Sequence, residues 1–344
     1  MVDLMNCLIA YNPVAGRYPS RLLVERAARI LLERGWRVHL EQTRSGEHIT
    51  DLARKAVEAR MDCFIIAGGD GSVNRAVAGL VDSETALGVL PAGTSNVWAQ
   101  ELGLPGLSWT RWMALEESAR RLAESEARLV DVGLCNGQPF LLWAGAGLDG
   151  FIVNRIEPRQ RWEKNFAVMH YAASVVWHAS FWRGMNLDVK VEETRIEGHF
   201  LVAIVSNVHL YAGGIATLSP AARLDDGKMD LWLFEGETLG DVVQLAWELW
   251  SGSHLVSDRV HRIEFQRLSM TADAPIYLQL DGEPSVGNGS VSIFVKPRAL
   301  RVLVPPKCMA SELFLHADSV GKPEPAATNQ DRINPPRTGD AART

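Results

Sequence analysis

Two rhythms of apolar residues alternate along the first part of the chain. Asn6–Tyr11, Trp36–Glu41, Cys63–Ala67 and Leu87–Leu90 are short runs that predict strands. Cys63–Ala67 is apolar without interruption, as a strand covered on both faces requires. Between the runs, apolar residues fall at helical spacing. Leu23, Ala27, Ile30 and Leu31 form one stripe, which Ser20 can cap and Gly35 can stop. Ile49, Leu52, Ala53, Ala56 and Val57 form the next. This alternation predicts a mostly parallel sheet with helices on both sides.

After about Leu129 the texture changes. Phe200–Ser206, Met229–Phe234, Ile276–Leu280 and Val291–Val295 are short β-rich runs, separated by turn signals such as Asp226-Gly227 and Asp281-Gly282. They predict mainly antiparallel β structure with a few inserted helices. Phe166–Trp182 carries no charge and is slightly too short to span a bilayer. Tyr171, Ser174 and His178 form a polar stripe through it, so it reads as a partly buried helix, with an interfacial or substrate-lining helix as the alternative. Lys322–Thr344 lacks large apolar side chains and is expected to be disordered. The division is residues 1–129, 130–308 and a tail at 309–344, with a last strand near 299–305 able to return to the first domain.

A chain of 344 residues suits two domains, and 47% hydrophobic with 22% charged residues is a globular composition. A net charge of −6 leaves no basic footprint, so nucleic acid is not an expected partner. It also rules out charge alone as the means of holding an anionic membrane. Cys7, Cys63, Cys135 and Cys308 show no CxxC spacing. Cys7 and Cys63 lie inside strand-like runs and read as buried reduced thiols, and no zinc site is expected. With no signal peptide at the start, the expected compartment is the cytoplasm.

The densest chemical signal is Ala67–Arg75, A-G-G-D-G-S-V-N-R, which follows a buried strand and opens a helix. Gly68, Gly69 and Gly71 free the backbone to turn tightly, so that amides and the helix N-terminus face a phosphate. Asp70 stands at the carboxyl end of a parallel strand, where α/β proteins place their sites. Near polyphosphate it is expected to act through Mg²⁺ or an ordered water. Because it lies in a turn, its loss is expected to affect activity and not folding. A plain strand-to-helix turn is the competing reading. Asn12-Pro13-Val14-Ala15-Gly16, Thr43 and Pro91-Ala92-Gly93-Thr94-Ser95-Asn96 follow the first, second and fourth strands. Together these strand ends form a phosphate and ribose platform. The Walker lysine and the GxGxxG spacing are both missing, so neither a P-loop nor a standard dinucleotide fold fits.

These residues resemble the diacylglycerol kinase catalytic-domain family, which includes bacterial lipid kinases and sphingosine and ceramide kinases. Asn12–Gly16, Gly68–Arg75 and Pro91–Asn96 match three of its motifs. Asn207, Gly213-Gly214, Ser219-Pro220-Ala221, Arg223–Lys228 and Asp281-Gly282-Glu283 match others in the β half, over roughly Met5 to Pro305. The resemblance implies an NAD kinase/phosphofructokinase-like α/β domain that binds ATP, followed by an antiparallel β domain, with a lipid between them. It implies ATP contacts at Asn12, Pro13, Val14, Ala15, Gly16, Thr43, Gly68, Gly69, Asp70, Gly71, Ser72, Asn74, Arg75, Gly93, Thr94 and Asn96. It makes Asp70 and Glu283 catalytic, with Glu283 taking the proton of the acceptor hydroxyl. It puts a Mg²⁺ at Asp226 and the carbonyls of Arg223 and Lys228.

The chemistry is coherent by itself, since an alcohol needs a carboxylate within reach of its proton and phosphoryl transfer is otherwise positioning and charge neutralisation. From the turn alone, Glu283 reads equally as a solvated hairpin carboxylate. Ser72 replaces the family's Thr, Arg75 its Glu, and Val97-Trp98 the Asp-Phe of many bacterial members. Arg75 can bind phosphate directly, or can disable an acid needed for Mg²⁺. A soluble NAD or sugar kinase and an inactive nucleotide-binding regulator stand as alternatives to a lipid kinase. A lipid acceptor implies transient, peripheral contact with the inner membrane, and a homodimer is left open. The expected membrane segment is Arg155–Arg183, with Arg159, Arg161 and Lys164 beside Trp162, Phe166, Trp177, Phe181 and Trp182; packing of those rings inside the β domain is the alternative.

Overall fold

The computed structural model describes residues 5–12, 20–108, 110–156, 181–309 and 311–315. Pro13–Gly16, most of the Arg155–Arg183 segment and the Lys322–Thr344 tail, on which expectations were placed above, lie outside the described residues.

The first half alternates strand and helix: β1 (Asn6–Tyr11), α1 (Ser20–Glu33), β2 (Arg37–Gln42), α2 (Gly46–Glu58), β3 (Cys63–Gly68), α3 (Asp70–Leu80), β4 (Ala86–Pro91) and the short α4 (Val97–Glu101) and α5 (Ala114–Ala123). The strands are parallel in the order β4-β3-β1-β2, so their carboxyl ends share one edge. β3 and β4 are buried at every residue, whereas β2 is an exposed edge strand that, among the described residues, pairs only with β1. Helix α2 shows why these segments fold locally. Ser45 Oγ accepts the His48 amide, Glu47 and Lys55 complement the helix dipole, and Ile49, Leu52, Ala53 and Ala56 form its buried stripe. Cys7 and Cys63 sit side by side in the register of β1 and β3, buried and unbridged.

The second half comprises β5 (Glu126–Cys135), β6 (Gln138–Phe140), β7 (Trp143–Gly147), α6 (Leu148–Ile156), β8 (Met185–Val191), β9 (Thr194–Ser206), β10 (Leu210–Tyr211), β11 (Ala216–Thr217), β12 (Met229–Glu235), α7 (Leu239–Ser251), β13 (Val260–Phe265), β14 (Arg267–Thr271), β15 (Ile276–Leu280), β16 (Glu283–Gly287) and β17 (Ser290–Val304). Its strands pair antiparallel. On β9, Val202 and Ile204 face the core shared with the first half, while Ala203 and Val205 face a second core built with Val189, Leu231, Phe265 and Ile293. The long β17 joins the halves. It pairs β14 with its first residues, runs antiparallel to β5 along most of its length, and meets β4 in parallel at Val302–Leu87. Among the described residues, no helix is long and apolar enough to cross a membrane. Trp182 packs into this half, with its ring 4.9 Å from Phe151 and its Nε1 donating to the Leu201 carbonyl.

Candidate active site

The carboxyl edge of the parallel strands carries Thr43 and the Gly68–Ser72 and Gly93–Asn96 turns. Thr43 is buried at the end of β2, its amide donating to the Tyr11 carbonyl. The β3–α3 and β4–α4 turns press against each other. A Cβ on Gly93 would stand 2.5 Å from the Gly69 Cα, and one on Gly68 would stand 2.7 Å from the Ser72 Oγ. Gly68, Gly69 and Gly71 all keep negative φ. What these glycines permit is therefore close approach of neighbouring groups, with no backbone strain. Asn96 adopts a left-handed conformation, and its side chain both accepts the Gly93 amide at 2.9 Å and donates to the Gly93 carbonyl at 2.9 Å. Thr94 is exposed on the same turn.

Asp70 opens α3, yet its carboxylate reaches across to α4. It accepts the amides of Val97 at 3.0 Å and Trp98 at 3.1 Å, the orphan donors of a helix start. Burial raises its pKa, and the bonds from Val97 and Trp98 act in the opposite sense. The expectation that this residue matters to activity alone is corrected here: it also anchors α4.

The β15–β16 turn brings the second half to this edge. A Cβ on Gly71 would lie 2.9 Å from Glu283 Oε1, so the carboxylate rests against the first turn of α3. Its other oxygen, Oε2, accepts from Arg75 Nη2 at 3.3 Å, and both side chains are about half exposed. Arg75 and Glu283, which are 208 positions apart, are thus one ion pair.

Asn74 points elsewhere than the sequence reading suggested. Its Nδ2 donates to Asp281 Oδ2 at 2.8 Å and to the Pro139 carbonyl at 3.2 Å. Asp281 also accepts the amides of Leu141, Leu142 and Trp143. Burial raises its pKa to about 6 against these four donors. Asp281 was assigned no role from sequence, because a D-G pair signals a turn and says nothing of the buried amides that meet there. The Gly282 amide donates to Gln279 Oε1, and Gln279 Nε2 donates to Asp149, a carboxylate at the start of α6 that also accepts from the Tyr211 hydroxyl. The turn carrying Glu283 is therefore held on both sides.

The Arg223–Lys228 loop lies beside Asp131, which was also missed. An acid between Val130 and Val132 in a buried strand is the signal that could have found it. Asp131 accepts the amides of Gly227 at 2.6 Å and Arg298 at 2.7 Å, and burial together with the charges of Asp226 and Asp225 raises its pKa to about 6. Asp225 accepts the Leu315 amide. Asp226 Oδ1 accepts the Lys228 amide at 2.9 Å, and among the described residues its Oδ2 accepts none. Among the described residues, no group of three or more side chains is arranged to hold a metal. A carboxylate oxygen without a partner among the described residues is a donor of the kind Mg²⁺ takes, since that ion keeps most of its waters and needs only one or two carboxylates.

Comparison with known proteins gives the family. Residues 6–135 match the diacylglycerol kinase catalytic domain, and residues 143–304 match the YegS C-terminal NAD kinase beta sandwich-like domain. A diacylglycerol kinase of Bacillus subtilis is 26% identical over 280 residues, 80% of this chain and 88% of that one. A "probable lipid kinase YegS-like" protein of Chromohalobacter salexigens is 32% identical over 271 residues, 76% and 82% of the two chains. A solved structure of a diacylglycerol kinase from Bacillus anthracis shares the fold, with a TM-score of 0.68 at 19% identity over 90% of this chain and 100% of that chain. With both halves matched in order, the chain belongs to the diacylglycerol kinase and YegS family of lipid kinases.

Proposed function

We propose that this protein transfers the γ-phosphate of ATP to a hydroxyl of a lipid alcohol of the diacylglycerol or sphingoid type. The observation that carries the reading is the contact of Glu283 with the first turn of α3. A carboxylate able to accept a proton thereby stands at the helix end best suited to a phosphate. In this reading the Gly68–Ser72 and Gly93–Asn96 turns cradle the polyphosphate. Glu283 takes the proton from the acceptor hydroxyl as its oxygen bonds to the γ-phosphorus and the bond to the ADP oxygen breaks. Asp226 with the carbonyls of Arg223 and Lys228 would hold Mg²⁺, which when bound supplies positive charge among neighbouring acids.

The test is incubation with labelled ATP and a panel of lipid alcohols, with thin-layer separation of the products. Label is expected in at least one phospholipid product. Label found only in NAD or a sugar, or retained in ATP with every acceptor, would overturn the proposal. Glu283→Gln keeps the shape and loses the base. It is expected to lower turnover by about a hundredfold or more while ATP still binds. A variant that keeps most of the rate would remove Glu283 from the role.

A further inference from the structure

Helix α7 packs Val242, Leu245 and Leu249 on the core and leaves a second apolar stripe facing outward. Val243, Trp247 and Trp250 are 64%, 62% and 66% exposed, and the two indole rings lie 5.1 Å apart. Leu255 and Val256, just beyond the helix, extend the surface at 50% and 85% exposure. A surface helix ordinarily directs such residues to the core, and a contiguous exposed apolar patch marks an interaction surface. The helix has only two charged residues, and both are taken up within the chain. Asp241 accepts from Arg259 and from Thr238 in a capping box, and Glu248 is buried, accepting from Gln244 and Ser257. In a protein of net charge −6, the outer stripe of α7 carries no charge.

The helix is linked to the candidate active site through one hairpin. α7 packs on β11, and the tip of the β10–β11 hairpin reaches the nucleotide-side turn, where Gln100 Nε2 donates to the Gly213 carbonyl at 3.4 Å. Ile215 on that hairpin is 78% exposed.

We propose that this face docks the protein on a lipid bilayer through apolar contact and not through charge. The inference rests on the acceptor being a lipid, which resides in such a surface. Tryptophan favours the membrane–water interface, where an apolar ring and a polar edge are both accommodated. A bilayer asks for no polar partners at the patch, and along α7 itself Asp241, Gln244 and Glu248 are tied up with one another and with Arg259, while the exposed acids Glu237 and Asp258 at its ends disfavour an anionic surface. A second copy of the chain would need a rim of available hydrogen-bonding groups.

The experiment is flotation of the full chain with phosphatidylcholine vesicles, with and without phosphatidylglycerol, at low and high salt. The wild type is expected to float with both, with little dependence on salt. Trp247→Gln with Trp250→Gln is expected to lower partition by about tenfold or more, with an unchanged melting temperature because both rings are exposed. Its rate on a short-chain dispersed acceptor should stay at the wild-type level while its rate on a vesicle-embedded acceptor falls. The proposal is overturned if the double variant floats as well as wild type. It is also overturned if wild type binds only anionic vesicles and salt releases it, or if the wild type without vesicles is a dimer that the double variant dissociates. Flotation needs no turnover. A protein that floats as expected but phosphorylates no lipid would therefore overturn the kinase reading and leave the docking face standing.

Discussion

Arg75 and Glu283 compete for the same few ångströms at the first turn of α3. Their ion pair is about half exposed, so it stabilises the fold by no more than about 1 kcal/mol. A phosphate arriving at this helix end offers Arg75 a more highly charged partner, and transfer of the guanidinium to it would release Glu283 to act as a base. Arg75→Ala is therefore expected to weaken ATP binding by roughly tenfold, as loss of one charge-assisted contact does, with little change in melting temperature. Calorimetric titration with ATP and a thermal melt decide it. Unchanged ATP affinity with a lowered melting temperature would make the pair structural. Asp70 is the opposite case. Both of its oxygens accept α4 amides, so Asp70→Ala should lower stability by about 1–3 kcal/mol as it lowers activity. A variant of unaltered denaturation midpoint would show that α4 needs no such anchor.

Asn74 and Asp281 connect elements that the chain separates widely. One is in α3, the other at the β15–β16 turn, and the Asn74 amide closes the ring of donors around a carboxylate that is buried in the fold. Asn74→Ala is expected to cost about 1–3 kcal/mol and to lower kcat with the KM for ATP nearly constant, because the turn carrying Glu283 loses a tether. A raised KM with unchanged stability would restore Asn74 to the nucleotide contacts named from its motif. The example shows what the sequence could and could not reveal. Strand bounds in the first half were legible within a residue, and the stripes of α1 and α2 were legible as helices, because continuous apolar runs and helical stripes are local patterns; α5 was not read from the sequence. The β15–β16 turn was legible as a turn for the same reason. That Asp281 would be buried against Leu141–Trp143 was not, since the amides come from 138–140 positions away. The same distance hid the Arg75–Glu283 pair, although both residues had been singled out separately. Gly69 and Gly93 were recognised as belonging to a phosphate edge, but their mutual contact depends on the register of β3 with β4.

At the scale of the whole molecule, the two halves share strands. β5 spans the region where composition placed a boundary, and its apolar residues Val130 and Val132 are covered in the core that also holds Leu300 and Val302 of β17. β4 is completed on one side by β17 at Val302. A fragment ending at Cys135 would keep the four parallel strands and every glycine turn of the candidate nucleotide site. It would also leave the outer edge of β4 unpaired and most of β5 without its partner, exposing apolar side chains and a row of backbone donors and acceptors together. The fragment 1–135 is therefore expected to lack a cooperative thermal transition, while the full chain, tied through β17, unfolds its two halves in a single step. Circular dichroism and calorimetry of both proteins test this. A fragment that melts cooperatively and binds ATP would show that β17 only decorates an independent domain, and two separated transitions in the full chain would show that the β5–β17 ladder does not couple the halves.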